Sequence, residues 1–487
     1  MKELPEPKNI WKYMLAVTQI PRGSNQGTER WRHKKILAFL KQCADEIGCE
    51  TYVDTGDNLI IRKAAYPGME NAPVVCLQCH MDMVVQKNDD VDINLETDPL
   101  HPRIDGPYLK ATGTSLGSDD GIGIATCFAI LEDKTLKHGP LEVLVTRDEE
   151  TGLFGAAELE PNVLKCKYMI NVDSEEENAV CVGCAGGYVV HIKLPTPRAP
   201  MDGWVTKTVV LNNFCGGHSG CDINLGRSNV IHVFARFLKA LCVDYRLVSV
   251  DSGTAHNAIP RKLVAEVAVP AEKAEQFVKC MTKHFEEFKK EYHTIEKNVT
   301  LEITDSDSKK EPLTEEATRK FTNFANAFPF GVQRMSPTVE GSVETSVNCG
   351  VAKCEGDEHI LFVAAPRSFS STQLDMMYNK MKSLADMVGA VISPRIGAYP
   401  SWEPNMDSPL TKKLVESYKE CTGKDPRVYS IHAGLECGLF MGKYPNLDCT
   451  SIGPTLEYPH SPEERLTIAS APRLWKVLTN ALEKLAN

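Results

Sequence analysis

The stretch "VVCLQCHMDMV", residues 74–84, opens as a run of Val, Cys and Leu that reads as a buried strand and then delivers His80 and Asp82 at its tip. Polar side chains in that place either satisfy hydrogen bonds locally or hold something, and one His with one Asp does not decide between the two. Around it, "WRHKKILAFLKQCADEIG" and "GIGIATCFAILEDK" have helical spacing, while "NLIIRKA", "LEVLVTRDEE" and "YMINVDSEEE" read as strands. Short apolar strands alternating with helices predict an α/β layer with a largely parallel sheet. In such sheets function collects at the carboxyl ends of the strands. Three strand ends here carry His80 with Asp82, Glu149 with Glu150, and Asp173.

After about Gly187 the texture changes to strands and amphipathic helices of α+β type, as in "KTVVLNNF", "NVIHVFARFLKAL" and "HILFVAAP". From "GAYPSWEPNMDSP" onward the α/β alternation returns. The expected organisation is a domain of residues 1–190 completed by residues 393–487, with residues 191–392 inserted between its halves. The 487 residues include 54 Lys and Arg against 65 Asp and Glu. That acidic surplus argues against nucleic-acid binding, which rests on clustered cations. The N-terminus has Pro and charge where a signal peptide needs an apolar core, and no apolar run is long enough to span a bilayer. With 17 Cys and no secretory signal, the thiols are expected to be unpaired and the location cytoplasmic. "CVGC" at residues 181–184 reads as buried thiols rather than a redox or zinc motif.

Taken singly, the polar residues have ordinary readings. Asp119 in "TSLGSDDGIGIA" serves as a helix N-cap, Glu149-Glu150 as an acidic turn, and His460 in "EYPHSPEER" as a solvated loop residue. Together they form an imidazole and carboxylate set suited to Zn²⁺, Mn²⁺ or Co²⁺. Several buried carboxylates repel one another unless cations compensate them, which points to two metals. "CGGHSGCD" lacks the final Gly of a serine-hydrolase elbow.

"CHMDMV", "GTSLGSDDGIGIA", "TRDEETGLFGA", "NVDSEEE", "GGHSG", "NAIPR", "IHAGLECG" and "IGPTLEYPHSP", in this order, resemble the aminoacyl-histidine (Xaa-His) dipeptidases of the dinuclear zinc peptidase and carnosinase superfamily. The resemblance implies a zinc-exopeptidase-like catalytic domain with a central, mostly parallel sheet, interrupted by an α+β lid and dimerisation domain. It implies two divalent ions, Zn²⁺ foremost with Co²⁺ or Mn²⁺ as alternatives. His80 and Asp173 would hold one, Glu150 and His460 the other, and Asp119 would bridge them. Asp82 would orient His80, Glu149 would be the general acid/base, and the Asp119-Asp120 peptide would be cis. His218, reaching across a dimer interface, would join Asn257, Arg367 and Gly434 in binding substrate, with Glu436 in the same loop. The implied reaction is hydrolysis of Xaa-His dipeptides, β-Ala-His included, by a homodimer. A broader dipeptidase, a carboxypeptidase or an aminoacylase is the alternative.

Overall fold

The computed structural model describes residues 4–25 and 30–487. Two compact units emerge. One comprises the described residues through Cys184 with Trp402–Ser430 and Leu435–Asn487, the other Ala185–Ser401 with Ile431–Gly434.

The first unit is built on an eight-stranded sheet: β1 (Glu50–Val53), β2 (Leu59–Lys63), β3 (Val75–His80), β4 (Leu141–Thr146), β5 (Tyr168–Asn171), β6 (Ala179–Cys184), β7 (Arg427–Ile431) and β8 (Asp448–Ser451). Their spatial order is β1-β2-β4-β3-β5-β8-β6-β7. The four central strands β4, β3, β5 and β8 run parallel, whereas β1, β2 and β6 pair antiparallel with their neighbours. The sheet is therefore mixed, with its parallel run confined to the centre. Every residue of β3, β4 and β5 is buried, as expected of strands covered on both faces. The helix Ser118–Glu132 is buried along its whole length through Leu131. Its Gly, Ala and Ile side chains allow the helix Lys8–Val17 to pack against it, with the Tyr13 and Phe128 rings 5.3 Å apart. Because the four parallel strands point one way, their carboxyl ends lie side by side. In register, His80 pairs with Thr146, and Gln78 and Ser451 both pair with Asn171.

The second unit is an antiparallel ten-stranded sheet of α+β type. Its long strands, among them Trp204–Asn212, Leu263–Pro270, Val343–Glu355 and His359–Ser368, pack an apolar face against the helices Val230–Ala240, Ala274–Glu291, Glu315–Ala327 and Ser371–Val388. Phe234, Phe288, Phe324 and Phe362 are at the centre of that core. One expectation is corrected here, since Cys242 and Cys280 form a disulfide. Cys242 follows the helix Val230–Ala240 and Cys280 lies within the helix Ala274–Glu291, so packing of the two helices brings the thiols together. Sequence spacing alone could not show that proximity.

The turn after β8 runs tight against the chain that leaves β5. A Cβ added to Gly453 would lie 1.5 Å from the Ser174 carbonyl oxygen, one residue beyond Asp173. Gly453→Ala is expected to lower stability by about 2 kcal/mol or more, since an overpacked buried site must shift backbone. Thermal melting of the purified variant checks this, and an unchanged melting temperature contradicts it.

Candidate metal centre

The carboxyl ends of β3, β4 and β5 bring the candidate residues together. His80 ends β3, Glu149 and Glu150 lie just beyond β4, and Asp173 lies two residues beyond β5. Asp119 enters from the first turn of the helix Ser118–Glu132, where its peptide bond to Asp120 is cis. His460 arrives from the loop after β8 with a left-handed backbone, φ 60°.

Asp119 is the hub of this arrangement. Its Oδ1 lies 2.9 Å from His80 Nε2 and its Oδ2 lies 3.0 Å from His460 Nε2. Asp173 Oδ1 stands 3.3 Å from the same His80 nitrogen, and Glu150 Oε1 stands 2.9 Å from the same His460 nitrogen. Each imidazole thus faces one oxygen of the shared carboxylate and one carboxylate of its own. His80 Nδ1 sits 3.3 Å from Asp82 Oδ1. Asp82 also accepts from Ser24 Oγ at 2.7 Å and from the Glu149 amide at 3.1 Å. One buried carboxylate therefore orients His80 and ties down the turn that carries Glu149.

Two further buried groups organise the loops. Glu464, 2% exposed, accepts the amides of Leu116, Gly117 and Ser118 at 2.8, 3.0 and 2.7 Å, and the Ser118 hydroxyl at 2.6 Å. That clamp sets the approach to Asp119. Arg22, 1% exposed, donates to the carbonyl oxygens of Met81 and Asp82 at 3.1 and 2.6 Å and also to that of Gly117. Asp148 holds a left-handed φ of 50° while accepting from the Asn25 amide at 2.8 Å, which turns the chain toward Glu149. None of Arg22, Ser24 and Glu464 was legible as a site partner in the sequence, because their partners lie tens to hundreds of residues away, and Glu436 was expected in the substrate-binding loop rather than beside the metal ligands. Only Glu464, four residues after His460, stood near a candidate.

The electrostatics are lopsided. Asp82, Asp119, Asp120, Glu149, Glu150, Asp173 and Glu436 outnumber the two imidazoles. Two like charges about 4 Å apart repel by about 4 kcal/mol even at an effective dielectric of about 20. Burial, reinforced by neighbouring carboxylates, pushes Glu149 and Glu150 up and brings Asp173 to about 7. Burial also raises Glu436 to about 7. Burial alone would lower His80, but Asp173, Asp119 and Asp82 overcome it and hold the imidazole well above its usual range. Hydrogen bonds to Asp119 and Glu150 push His460 up to about 11. Without added positive charge the cluster takes up protons. Among the described residues, His80-Asp119-Glu150 and His80-Asp120-Asp173 each offer donor atoms within 4.8 Å of one another. Imidazole nitrogens and carboxylate oxygens converging in this way fit a divalent cation.

In the second unit, His218, Arg367 and Gly434 gather with His432 and Tyr399. His218 Nδ1 accepts the Cys221 amide at 3.0 Å, which leaves the proton of the neutral ring on Nε2. Arg367 donates to the Tyr399 hydroxyl at 2.8 Å, while its buried Nε has no hydrogen-bond partner among the described residues. Burial and then the Arg367 cation lower both His218 and His432, the latter to about 3, so both rings stay neutral. A Cβ on Gly434 would meet the Tyr399 ring at 2.9 Å. Asn257 is exposed, its carbonyl accepting the Ser219 amide at 2.9 Å. His432, whose Nε2 lies 2.7 Å from Ser346 Oγ, was missed in the sequence.

A two-metal-type cluster at the carboxyl ends of a mixed α/β sheet, paired with an α+β unit, defines a class of hydrolase. Residues 76–484 match the peptidase family M20/M25/M40, and the chain belongs to it. It is 38% identical over 491 residues to the cytosol non-specific dipeptidase of Escherichia coli K12, an alignment covering 100% of this chain and 99% of that one. The crystal structure of aminoacylhistidine dipeptidase from Vibrio alginolyticus superposes with a TM-score of 0.91 at 38% identity, covering 99% of this chain and 97% of that one. Human carnosine dipeptidase 1, at 13% identity and a TM-score of 0.50 over 98% of this chain and 96% of its own, shares the fold. The chain is thus a hydrolase of this peptidase family.

The shifts set a pH dependence for the metal-stripped protein. Asp173 and Glu436 titrate near 7 when folded, against about 4 when unfolded, so the folded state holds more protons between those values. The contribution of these two carboxyls to stability therefore falls as pH rises from 5 to 8. His460 acts in the same direction, since its folded value of about 11 lies above the unfolded value of about 6.5. The imidazoles of His33, His138, His218, His232, His256 and His432, all held below their usual range by burial, act in the opposite direction. The gain in melting temperature on adding Zn²⁺ or Co²⁺ to chelator-stripped protein is expected to grow as pH rises from 5 to 8, because the ions displace the protons held by the cluster. A gain that shrinks from pH 5 to 8 contradicts this.

Proposed function

We propose that the chain hydrolyses dipeptides in a metal-dependent reaction, with Xaa-His dipeptides, β-Ala-His included, as the preferred class. The observation that carries this reading is the Asp119 carboxylate, one oxygen turned to His80 and the other to His460. His80 and Asp173 would hold one ion, Glu150 and His460 the other, and Asp119 would serve both. Zn²⁺ suits this ligand set best, with Co²⁺ or Mn²⁺ able to replace it. When bound, the ions supply Lewis-acid polarisation of the scissile carbonyl and a lowered pKa for water.

The chain's own residues do the rest. Asp82, 3.3 Å from His80 Nδ1, would accept that nitrogen's proton and so keep the Nε2 lone pair available. Glu149, raised by burial, takes the proton of the attacking water and returns it to the leaving amine. Arg367 pairs with the substrate carboxylate, His218 donates from Nε2 to the developing oxyanion, and Asn257 and Gly434 complete the substrate contacts. His218, Arg367 and Gly434 lie in one unit, which supports their acting together as a substrate-binding cluster. A homodimer formed through this unit fits its exposed Met376, Met387, Val391 and Ile396. No helix among the described residues is long and apolar enough to cross a membrane. The cytosolic name of the Escherichia coli relative supports a cytoplasmic location.

Glu149→Gln is expected to retain both ions by elemental analysis while kcat falls by about 10²–10⁴. Substantial remaining turnover removes Glu149 from this role. Arg367→Lys, which gives up the two-pronged contact, is expected to raise KM for Ala-His by about tenfold or more with kcat less affected. A panel of Ala-His, β-Ala-His, other dipeptides, longer peptides and N-acetyl amino acids tests the substrate class. Preference for N-acetyl amino acids or longer peptides would overturn the dipeptidase reading.

A further inference from the structure

Directly beneath the ligand-bearing strand ends lies a second layer of buried polar side chains. Glu436 opens the helix Glu436–Lys443 and is 1% exposed. Its Oε2 accepts Gln78 Nε2 at 2.6 Å and Thr146 Oγ1 at 2.8 Å. Its Oε1 is buried with no hydrogen-bond partner among the described residues. Gln78 Oε1 in turn accepts Asn171 Nδ2 at 2.6 Å, and Asn171 Oδ1 accepts the Ser451 hydroxyl. Gln78, Thr146, Asn171 and Ser451 are all buried.

The placement of these residues is systematic. Gln78 precedes His80 by two residues on β3, and Asn171 precedes Asp173 by two at the end of β5. Thr146 ends β4, three residues before Glu149. The strand alternation puts Gln78 on the same face as His80. One carboxylate oxygen therefore joins β3 directly to β4, and through Gln78 to β5 and β8. Apolar side chains would fill this space at lower desolvation cost, since a buried carboxyl loses several kcal/mol of hydration unless its partners restore it. What apolar packing cannot supply is a directional link that fixes how far each strand end projects.

We propose that Glu436 is a positioning residue for the metal centre, a shared acceptor that sets the relative placement of His80, Glu149 with Glu150, and Asp173 through Gln78, Thr146 and Asn171. The sequence motif suggests a place for Glu436 in the substrate-binding loop beside Gly434. The network assigns it instead to the support of the metal ligands. This inference rests on the metal-dependent reading above.

The test compares wild type, Glu436→Gln and Glu436→Leu in the full chain. Gln keeps an acceptor for Gln78 and Thr146, whereas Leu keeps volume and removes it. With Co²⁺ as probe, Glu436→Leu is expected to bind about 10–100-fold more weakly with an altered visible absorption spectrum, and its kcat to fall by a similar factor while KM changes little. Glu436→Gln is expected to recover most of both. If Glu436→Leu does not fold, Thr146→Val removes one link alone and is expected to weaken Co²⁺ binding with an altered spectrum. A folded Glu436→Leu or Thr146→Val with wild-type Co²⁺ affinity and spectrum overturns the proposal. So does a folded Glu436→Gln as impaired as the Leu variant. Wild-type protein that binds no Co²⁺ at all would instead sink the metal-dependent reading itself.

Discussion

The arrangement depends on one carboxylate shared between two imidazoles. Asp119 presents one oxygen to His80 and the other to His460, residues separated by 380 positions in the chain. Around it the protein concentrates more buried negative charge than its own side chains neutralise. Such a cluster persists only where the fold holds it against mutual repulsion or where cations enter, and the structure is organised to do the first in a way that suits the second. Glu464 clamps the loop before Asp119, Arg22 ties that loop to the end of β3, and Asp82 links His80 to the turn carrying Glu149.

The sheet explains why these residues can meet. Four parallel strands end at one edge, so the loops leaving them start as neighbours. Each loop then needs only a few residues to bring its carboxylate or imidazole to a common point. Left-handed backbones at Asp148 and His460 make two of these short approaches possible. Backbone conformations outside the common regions, held by surrounding hydrogen bonds, are common where a fold places function. The second unit obeys a different logic. Its antiparallel strands bury a Phe-rich face against helices and gather Arg367 with neutral His218 and His432.

Much of this was legible in the residues. The strand at 75–80, the strand before Glu149, the strand before Asp173 and the helix after Ser118 follow from short apolar runs, glycine punctuation and length. Less legible was the edge of the sheet, because antiparallel flanking strands and parallel central ones share the same apolar composition. The Cys242–Cys280 disulfide ran against the expectation from cysteine usage, since pairing depends on which helices pack together.

The sequence by itself determined the element types, the alternation that marks an α/β layer, and the short list of imidazoles and carboxylates at strand ends, because these depend on local periodicity and side-chain chemistry. Only the tertiary structure decided that one Asp119 oxygen faces each imidazole, that Arg22, Glu464 and Glu436 sit buried beside them, and that His218 and Arg367 share one unit. The reason is physical: such contacts join positions far apart in the chain, and their energies come from desolvation and hydrogen-bond geometry that exist only once the strands have been brought side by side.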